Sequence, residues 1–380
     1  MLFELSEEQL MIQQAARDFA QTELKPGVIE RDEHQKFPKE QIKKLGELGF
    51  LGMMVDPKYN GSGMDSVSYV LVMEELSKID ASASVVVSVN NSLVCYGLEA
   101  YGTEAQKEKY LKPLASGEKI GAFCLSEPEA GSDATSQQTT AEDMGDYYLL
   151  NGTKNWITNG STASTYLVIA QTHKELRHKG INAFIVEAGT PGFTIGPKEN
   201  KLGIRGSDTH SLMFNDVKVP KENRIGDDGF GFSFAMKTLE GGRIGIAAQA
   251  LGIAAGAYEL ALEYSKQRKS FGKPISDHQA ISFKLADMAT QIEAARMLVY
   301  KAAWLKDQGQ SYTLAGSMAK LFASKVAMDV TVEAVQIHGG YGFVKEYHVE
   351  RLMRDAKITQ IYEGTSEIQK MVISRSILSK

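Results

Sequence analysis

The sequence predicts a mainly α-helical protein with a central β domain, and three observations support this fold class. Up to about residue 117, apolar residues recur at helical spacing, whereas from residue 121 to 225 they alternate in short runs between turn signals. From residue 230 onward, long helical patterns return and Pro274 is the only proline. We therefore predict an N-terminal α-helical domain over 1–120, a middle antiparallel β domain over 121–226 and a C-terminal four-helix bundle over 227–380.

The first predicted domain consists of helices separated by loops. Ser6 and Gln9 fit a capping box that starts a helix running to about Glu23. Prolines and the loop Asn60–Gly63 separate the later helical patterns. These patterns predict helices over Lys39–Leu48, Val67–Ser77, Ser82–Tyr101 and Glu104–Ser116.

Short alternating runs in the middle of the chain predict the strands of one small antiparallel sheet. Turn signals separate these runs, among them Asn151-Gly152, Asn159-Gly160 and Thr190-Pro191-Gly192. The predicted strands are Gly121–Leu125, Tyr147–Asn151, Thr165–Gln171, Asn182–Glu187, Phe193–Ile195 and Leu212–Val219. We expect a cofactor to bind where this sheet meets the two helical domains.

Long helical patterns in the last third of the chain predict an up-and-down bundle with short connections. The longest nearly apolar run, Ile244–Tyr258, is rich in glycine and alanine, which suits a tightly packed buried helix. It is shorter than the ~20 residues that a membrane-spanning helix needs, so no span is expected. The predicted helices are Phe230–Gln267, Asp277–Gln308, Tyr312–His338, Lys345–Asp355 and Glu367–Leu378.

Composition and charge exclude several classes of function. The chain has 380 residues, 43% of them apolar, and its net charge of −5 without a basic run argues against nucleic acid or an anionic membrane surface as partner. Cys95 and Cys124 predict small buried side chains in a reducing compartment, and the histidines lack metal-ligand spacing, so no metal is expected. The acidic segment Met1–Glu8 is unlike a signal peptide, which predicts a cytoplasmic protein or a processed mitochondrial matrix form.

One stretch near the C-terminus carries a family resemblance. Tyr362-Glu363-Gly364-Thr365, preceded by Arg354–Ile358, resembles the C-terminal signature of the acyl-CoA dehydrogenases, and five motifs in that family's order extend the resemblance from about Leu5 to the C-terminus. The resemblance implies the acyl-CoA dehydrogenase fold and an FAD-dependent α,β-dehydrogenation of an acyl-CoA thioester to the trans-2-enoyl-CoA. It also implies that electron-transfer flavoprotein accepts the electrons. The sequence contains no G-x-G-x-x-G or G-x-x-x-x-G-K cradle for a dinucleotide.

Glu363 is the predicted catalytic base. A Glu followed by Gly allows a sharp turn that aims the carboxylate at a ligand and leaves the Glu363 N–H free, although on spacing alone a plain turn before a helix is the simpler interpretation. We expect an apolar pocket to raise the pKa of Glu363 toward neutrality, and its N–H and a flavin ribityl hydroxyl to hold the thioester oxygen. Tyr362 and Gly364 are predicted to contact substrate, and Thr365 and Glu367 to contact the cofactor.

Two motifs of the middle domain are predicted to hold the flavin. Leu125–Asp133 follows a strand and exposes backbone N–H groups, and Trp156 offers a flat face for the isoalloxazine ring. The resemblance implies that Ser126 contacts the ring edge, Ser132 reaches the CoA arm and Thr158 donates to the flavin. Glu129 stands where many relatives have glycine, which leaves its role open. The predicted cofactor contacts here are Phe123, Leu125, Ser126, Gly131, Ser132, Trp156, Ile157 and Thr158, and Ser132 is also a predicted substrate contact.

A second pair of motifs, in the C-terminal domain, is assigned to FAD by resemblance. Its predicted contacts are Arg268, Phe271, Gln279, Gln336, Gly339 and Gly340. The arginine would cross a subunit interface to the FAD pyrophosphate, and the two glycines would cradle the pyrophosphate of a neighbouring subunit, although ordinary helix ends also explain both motifs. His338 departs from the family's apolar residue, and we assign it no task. A shared site requires at least a dimer, and the fold implies a homotetramer built as a dimer of dimers.

The run Glu240-Gly241-Gly242-Arg243 places two glycines inside a helical pattern, where each costs about 1 kcal/mol unless something approaches closely. We interpret the close neighbour as a ligand. The resemblance implies that Glu240 and Arg243 bind substrate and that Arg243 meets the CoA adenine. Gly242 stands where the isovaleryl and long-chain branches carry their catalytic Glu, which assigns the base to Glu363 here.

The predicted substrate is a short-chain acyl-CoA of the butyryl type. Ser88–Leu93 and Thr365–Gln369 resemble the short-chain branch, and a medium-chain relative carries a Glu at the position of Val89, a predicted substrate contact. Medium-chain and short branched acyl groups stay open, since one methylene changes the binding free energy by only ~1–3 kcal/mol. The alternatives of another class are a flavin monooxygenase or oxidase on the same fold and a non-catalytic helical scaffold.

Overall fold

The computed structural model describes residues 4–379, so Met1–Phe3 of the acidic N-terminal segment and Lys380 lie outside the described residues. The first part is helical, and the predicted capping box forms: the Gln9 N–H donates to the Ser6 hydroxyl and the Ser6 N–H to the Gln9 side chain, each at 3.1 Å. The helices are α1 (Glu7–Phe19), α2 (Val28–Glu33), α3 (Lys39–Glu47), α4 (Ser66–Ile79), α5 (Ala81–Ser88), α6 (Tyr96–Tyr101), α7 (Glu104–Gln106) and α8 (Lys112–Ala115). The predicted N-terminal helices are thus confirmed, and α2 is an addition to them.

Three segments with π-helical hydrogen bonding extend or join these helices. They are Ala20–Leu24 after α1, Val89–Cys95 between α5 and α6, and Lys107–Leu111 between α7 and α8. Such widened turns are frequent at functional sites because they move side chains out of regular register. The segment Val89–Cys95 lies on the wall of the site described below.

An eight-stranded sheet follows the helices. Its strands are β1 (Gly121–Cys124), β2 (Thr140–Asp143), β3 (Tyr147–Thr158), β4 (Thr165–Gln171), β5 (Ile181–Glu187), β6 (Phe193–Lys198), β7 (Thr209–Pro220) and β8 (Arg224–Ile225). They are ordered β6-β7-β3-β2-β4-β5-β8, with β1 paired to β4. One pairing departs from the predicted antiparallel arrangement, because β1 runs parallel to β4 and β2 makes a parallel bridge to it. The long connection between β1 and β4 permits a parallel pair, which a hairpin would not.

Strand β3 is longer than predicted, because Asn151-Gly152 forms a bulge and not a turn. The register against β7 shifts between Leu150 and Gly152, where Gly152 has a φ of 144°. An ideal Cβ on Gly152 would lie 2.6 Å from the Thr139 hydroxyl, so a side chain does not fit there. A second shift, between Lys154 and Ile157, brackets Trp156.

The C-terminal part begins with the long helix α9 (Gly231–Gln267). Every residue from Gly241 to Ala257 in it is buried, and it packs against α4 and against a later helix over Thr313–His338, which confirms the predicted packed helix. The other elements are the hairpin β9 (Lys269–Ser270) and β10 (Lys273–Pro274), then α10 (Gln279–Asp307), α11 (Thr313–His338), α12 (His348–Ile358) and α13 (Ser366–Leu378). All five predicted C-terminal helices are therefore present.

Two helical stretches are long and apolar enough to cross a membrane by length and composition, Ala81–Tyr101 and Gly231–Gln267. Their most apolar windows are 94% and 83% buried inside the protein, so both belong to its core. Cys95 and Cys124 are free and buried, as predicted, and burial raises the pKa of both thiols.

One apolar cluster joins the three parts of the chain. It contains Leu93 from the first helical part, Phe123 from β1 and Phe234 from α9, and the partly buried Tyr362 packs against it. The turn that carries Glu363 therefore lies where the sheet and both helical parts meet. The predicted domain boundaries at 120 and 226 stay predictions; α8 ends at Ala115 and β1 starts at Gly121.

Candidate active site

Glu363 lies in the turn between α12 and α13. The Ser366 N–H donates to the Gln360 carbonyl at 3.0 Å and closes this turn. Glu363 has a φ of 53°, a left-handed conformation that is uncommon for a residue with a side chain, and Gly364 follows with a φ of 94°. None of the hydrogen bonds among residues 4–379 uses the Glu363 N–H. The sharp turn and the free N–H are those that the sequence predicts.

The Glu363 carboxylate packs against the backbone of α9 at Gly242. An ideal Cβ on Gly242 would lie 2.0 Å from Oε2 of Glu363 and 2.9 Å from Cδ2 of Leu93. A side chain there would collide with the carboxylate and would have to displace it, so glycine permits the observed position of Glu363. The close neighbour that we interpreted as a ligand is, for Gly242, the side chain of Glu363.

Glu363 has an unusual electrostatic environment. Burial raises its pKa to about 7, while the positive charges of Lys320 and Arg243 act to lower it. Its Oε2 is buried and has no hydrogen-bond partner among residues 4–379. Because desolvation disfavours the charged form of a carboxyl group, the proton is held more tightly than on an exposed Glu. The expected rise of this pKa toward neutrality is thus present.

Two buried side chains donate hydrogen bonds to backbone carbonyls of this turn. Lys320 of α11 donates from Nζ to the Thr359 carbonyl at 3.1 Å and to the Gly364 carbonyl at 2.7 Å. Gln369 of α13 donates to the same Gly364 carbonyl at 2.9 Å. Sequence reasoning missed both residues. The sequence offers one signal for Lys320, because this lysine stands between two apolar neighbours, Ala319 and Leu321.

Tyr362 is fixed by a buried glutamine. Its hydroxyl donates to Oε1 of Gln249 in α9, and the Gln249 amide donates to the Ala81 carbonyl at 2.9 Å and to the Ser84 hydroxyl at 3.1 Å. Burial raises the pKa of Tyr362, which keeps the phenol neutral. This chain of hydrogen bonds ties the residue before Glu363 to the start of α5.

Apolar side chains pack against the turn that carries Glu363. Val89 is 5% exposed and belongs to the same apolar cluster as Leu93 and Phe123, against which Leu239 and Tyr362 also pack. Val89, Phe123 and Tyr362 were each predicted as contacts from sequence, and the structure brings them together. Apolar side chains of this kind suit contact with an acyl chain.

Glu240 and Arg243 lie one helical turn apart on α9, near the turn that carries Glu363. Arg243 is buried, approaches the Ser317 hydroxyl at 3.4 Å and has an Nε without a partner among residues 4–379. Burial lowers its pKa, and Glu240 and Glu363 oppose that shift. Glu240 accepts from the Thr313 hydroxyl at 3.0 Å. That Arg243 meets the CoA adenine stays a prediction.

A buried ion pair connects the two predicted flavin motifs of the sheet. Lys154 of β3 lies 2.7 Å from Glu127, and both side chains are essentially unexposed. Burial acts to raise the pKa of Glu127, but Lys154 and the Gln138 N–H lower it by more. Lys154 also donates to the Leu125 carbonyl at 3.0 Å. The pair, which sequence reasoning missed, fixes the loop after β1 against β3.

Replacing Lys154 with methionine is expected to destabilise the protein by about 3–5 kcal/mol, because Glu127 would stay buried without a counter-charge. Thermal unfolding and the amount of bound flavin per chain would measure the loss. Adding Glu127→Gln, which keeps an acceptor for the Gln138 N–H, should recover part of it. Lys221→Met removes the more exposed Lys221–Asp143 pair and should cost less than about 1 kcal/mol. Equal losses for Lys154→Met and Lys221→Met would contradict this account.

The motifs around Ser126 and Trp156 lie side by side at an open surface. The Asn155 N–H donates to the Ser126 carbonyl at 2.9 Å, and the next residue, Trp156, has a φ of 56° and is 57% exposed. Gly131 and Ser132 are exposed, and an ideal Cβ on Gly131 would meet nothing within 4 Å. An exposed indole beside exposed backbone fits a flat aromatic ligand such as a flavin. Ile157 is buried behind Trp156, and Thr158 ends β3.

The predicted FAD contacts of the C-terminal part form a separate group at one end of the bundle. The Arg268 guanidinium lies 5.5 Å from the Tyr341 ring, and Tyr264 stacks on His338 at 4.2 Å, so the end of α9 and the glycine turn touch. Phe271 is 94% exposed at the tip of the β9–β10 hairpin. Gln279, Gln336, Gly339 and Gly340 are exposed as well. Among residues 4–379 no hydrogen bond joins this group to Trp156 or Glu363.

The remaining residues discussed from sequence are Thr365 and Glu367 at the start of α13 and His338 at the end of α11. Thr365 caps α13, accepting from the Ile368 N–H at 3.3 Å, and Glu367 is exposed beside it. His338 donates from Nδ1 to the Ala334 carbonyl at 2.8 Å, and burial lowers its pKa, as for an imidazole that stays neutral. The predicted cofactor contacts of Thr365 and Glu367 stay predictions.

Three sequence profiles of one family match successive parts of the chain. They are described as acyl-CoA dehydrogenase, N-terminal domain, over residues 6–118, middle domain, over residues 122–217, and C-terminal domain, over residues 229–378. Short-chain specific acyl-CoA dehydrogenase of Clostridium acetobutylicum is 53% identical over 375 residues, which cover 99% of each chain. Caffeyl-CoA reductase-Etf complex subunit CarC of Acetobacterium woodii is 49% identical over 376 residues, with the same coverage.

Solved structures agree with these sequence matches. Butyryl-CoA dehydrogenase from Megasphaera elsdenii superposes with a TM-score of 0.98 at 54% identity and covers 100% of both chains. The structure of PigA with FAD and proline superposes with a TM-score of 0.96 at 31% identity and covers 99% of both chains. Together with the family, this FAD complex implies a flavin cofactor. The chain therefore belongs to the acyl-CoA dehydrogenase family, with that family's oxidoreductase activity and with short-chain, butyryl-CoA-type enzymes among its full-length relatives.

Proposed function

We propose that this protein oxidises a short-chain acyl-CoA of the butyryl type to the trans-2-enoyl-CoA, with Glu363 as the base that removes the α-proton. The observation that carries the proposal is the buried, unpartnered Oε2 of Glu363, whose pKa burial raises to about 7. The α-proton of a thioester is only weakly acidic, so its removal needs a positioned base. A base with a pKa near the working pH combines a useful ionised fraction with a strong affinity for the proton.

The thioester oxygen gains negative charge as the α-proton leaves, and the free Glu363 N–H is the donor that this chain offers to it. A single donor of this kind is typically worth roughly 3–4 kcal/mol in the transition state. Helix α12 ends at Ile358, and no hydrogen bond among residues 4–379 uses the N–H of Glu363 in the turn that follows. Base and donor thus come from the same residue, which fixes their relative position.

FAD, when bound, supplies the acceptor for the hydride that leaves the β-carbon. Ser126, Gly131, Trp156 and Thr158 would hold its ring, on the surface where Trp156 is exposed. The Glu127–Lys154 pair keeps the loop of Ser126 and the strand of Trp156 in fixed relation. Arg268, Phe271 and the glycines after α11 would contact the FAD of a neighbouring subunit, which their exposure permits.

The acyl chain would lie along the apolar wall formed by Val89 and Leu93. Because Tyr362 packs against the same apolar cluster, we expect it to limit the length of the acyl chain and to favour a short one. Turnover should be highest with butyryl-CoA and fall with hexanoyl-CoA and octanoyl-CoA, measured as kcat/KM with an artificial electron acceptor. Each extra methylene that does not fit should cost roughly tenfold or more. An optimum at octanoyl-CoA would overturn the short-chain proposal and leave the activity itself in place.

The electrons leave to electron-transfer flavoprotein. The relative CarC, a subunit of a complex with Etf, supports this choice of partner. We also propose a homotetramer, built as a dimer of dimers, in the cytoplasm; the free buried cysteines are compatible with a reducing compartment. Light scattering coupled to size exclusion would test the tetramer.

Bleaching of the flavin tests the proposed reaction. Adding butyryl-CoA to the holoenzyme without oxygen should remove the flavin absorbance within one turnover, because the hydride is transferred before any acceptor is present. Butanoic acid with free CoA is the control, since it lacks the thioester and should leave the spectrum unchanged. A protein that binds flavin but keeps its absorbance with every acyl-CoA would contradict the proposal.

A further inference from the structure

The buried side chain of Lys320 forms hydrogen bonds to both ends of the turn that carries Glu363. It is 1% exposed, and its Nζ donates to the carbonyls of Thr359 and Gly364, which lie on either side of Glu363 along the chain. Because both acceptors are backbone atoms, one side chain fixes the start and the end of the turn. Gln369 donates to the Gly364 carbonyl at 2.9 Å and to the Glu363 carbonyl at 3.5 Å, so it holds only the end of the turn. No other side chain among residues 4–379 donates to both ends of this turn.

The charge of Lys320 acts on Glu363. No ion pair with a carboxylate within 4.0 Å is formed by Lys320 among residues 4–379, so its ammonium group is not neutralised by a closer partner. Burial lowers the pKa of Lys320 to about 8, and Glu363 opposes that shift. In turn, Lys320 lowers the pKa of Glu363 more than Arg243 does. A buried positive charge near a carboxyl group favours its ionised form.

Few other ionisable groups face this carboxylate. They are Arg243 from α9, Tyr69 from α4 and Tyr362 on the turn itself. Burial raises the pKa of both tyrosines, so neither carries charge near neutral pH. Leu93, from the π-helical segment, is apolar. Lys320 and Arg243 are therefore the two cations that act on Glu363, and of these only Lys320 also holds its backbone.

We propose that Lys320 is a positioning residue of the reaction, which holds the Glu363 turn at both ends and favours the ionised form of its carboxylate before substrate enters. The inference rests on the proposed role of Glu363 as base. It assigns to one buried lysine two effects, on geometry and on charge, and a pH profile separates them.

The test compares the pH dependence of kcat/KM for butyryl-CoA in the holoenzyme and in Lys320→Met. Only ionised Glu363 accepts the proton, so wild-type kcat/KM should rise with pH through about 7. Without the ammonium group the folded carboxyl binds its proton more tightly, and the midpoint should move up by about one pH unit. The loss of kcat/KM should thus be larger at low pH. A lower plateau of kcat/KM at high pH would show that the turn is misplaced. A purely structural role would lower the plateau and leave the midpoint in place.

Two further variants make the result decisive. Lys320→Arg keeps the charge and should return the midpoint to its wild-type value even where kcat stays low. Lys325→Met, on the exposed face of the same helix, should leave the profile unchanged. If Lys320→Met does not retain flavin, Lys320→Gln, which keeps an amide donor and loses the charge, carries the same expectation.

An unchanged midpoint in the neutral variant would overturn the role of Lys320. This failure is distinct from a failure of the proposed function, which would show as retained turnover in Glu363→Gln. A shifted midpoint that Lys320→Arg does not restore would also count against the charge effect.

Discussion

Replacing Glu363 with glutamine is expected to lower kcat for butyryl-CoA by about 10³-fold or more, because the amide cannot accept the α-proton. The change is nearly isosteric, and Oε2 of Glu363 has no hydrogen-bond partner to lose among residues 4–379. Folding and flavin binding should therefore persist. The glutamine variant should also lose the bleaching of the flavin by butyryl-CoA, because the substitution abolishes one chemical step and leaves the site in place.

Glu47→Gln supplies the matched control for this experiment. Glu47 is exposed at the end of α3, where its neighbour is Lys43, so the same chemical change there should leave kcat and KM unaltered. Equilibrium binding of butyryl-CoA to Glu363→Gln, followed by perturbation of the flavin spectrum, would show that substrate still enters. Turnover near the wild-type level in Glu363→Gln would place the base on another residue.

The second large effect is expected for Gly242→Ala. The added methyl group would lie 2.0 Å from Oε2 of Glu363 and must displace it. Because that atom is the end of a flexible side chain, the carboxylate can move while the fold stays intact. A displacement of about 1 Å at a reacting group can cost 10²-fold, so kcat should fall by about that factor with little change in thermal stability.

Gly316→Ala is the control for the glycine substitution. Gly316 lies in α11 near the same region, yet an ideal Cβ there would meet only Cγ1 of Ile244 at 3.6 Å and the Glu240 carbonyl at 4.0 Å, which are ordinary contacts. Alanine should therefore be accepted, with a gain of up to about 1 kcal/mol from helix propensity. If Gly242→Ala kept full activity, the carboxylate of Glu363 would not need its position against α9, and the proposed geometry of the base would be wrong.

These two substitutions probe different properties of one carboxyl group. The first removes its ability to take a proton, and the second keeps that ability but moves the group. A pH profile of Gly242→Ala would add information, because moving the carboxylate changes the attraction of Lys320 and Arg243 that lowers its pKa. We expect the pH midpoint of kcat/KM to shift in that variant as well.

Much of the fold followed from local patterns. The capping box at Ser6, the glycine- and alanine-rich core of α9 and the five C-terminal helices are consequences of periodicity and composition, and all are present. The errors arose where backbone pairing depends on distant residues. Asn151-Gly152 has the composition of a turn, but Thr139 packs against Gly152, and pairing with β7 carries the strand through as a bulge.

The sequence by itself determined most of the helices and strands, the family resemblance and the identity of Glu363 as the acidic residue of a sharp turn, because these depend on residue types and on short spacings. Only the tertiary structure decided what surrounds that residue. Gly242, Lys320 and Gln249 lie far from Glu363 along the chain and meet the turn that carries it only when α9, α11 and the turn pack together. The physical reason is that burial and neighbouring charges set the pKa of the Glu363 carboxyl group and the hydrogen-bonding state of its oxygens. Both depend on residues that are distant along the chain, so no local sequence pattern predicts them.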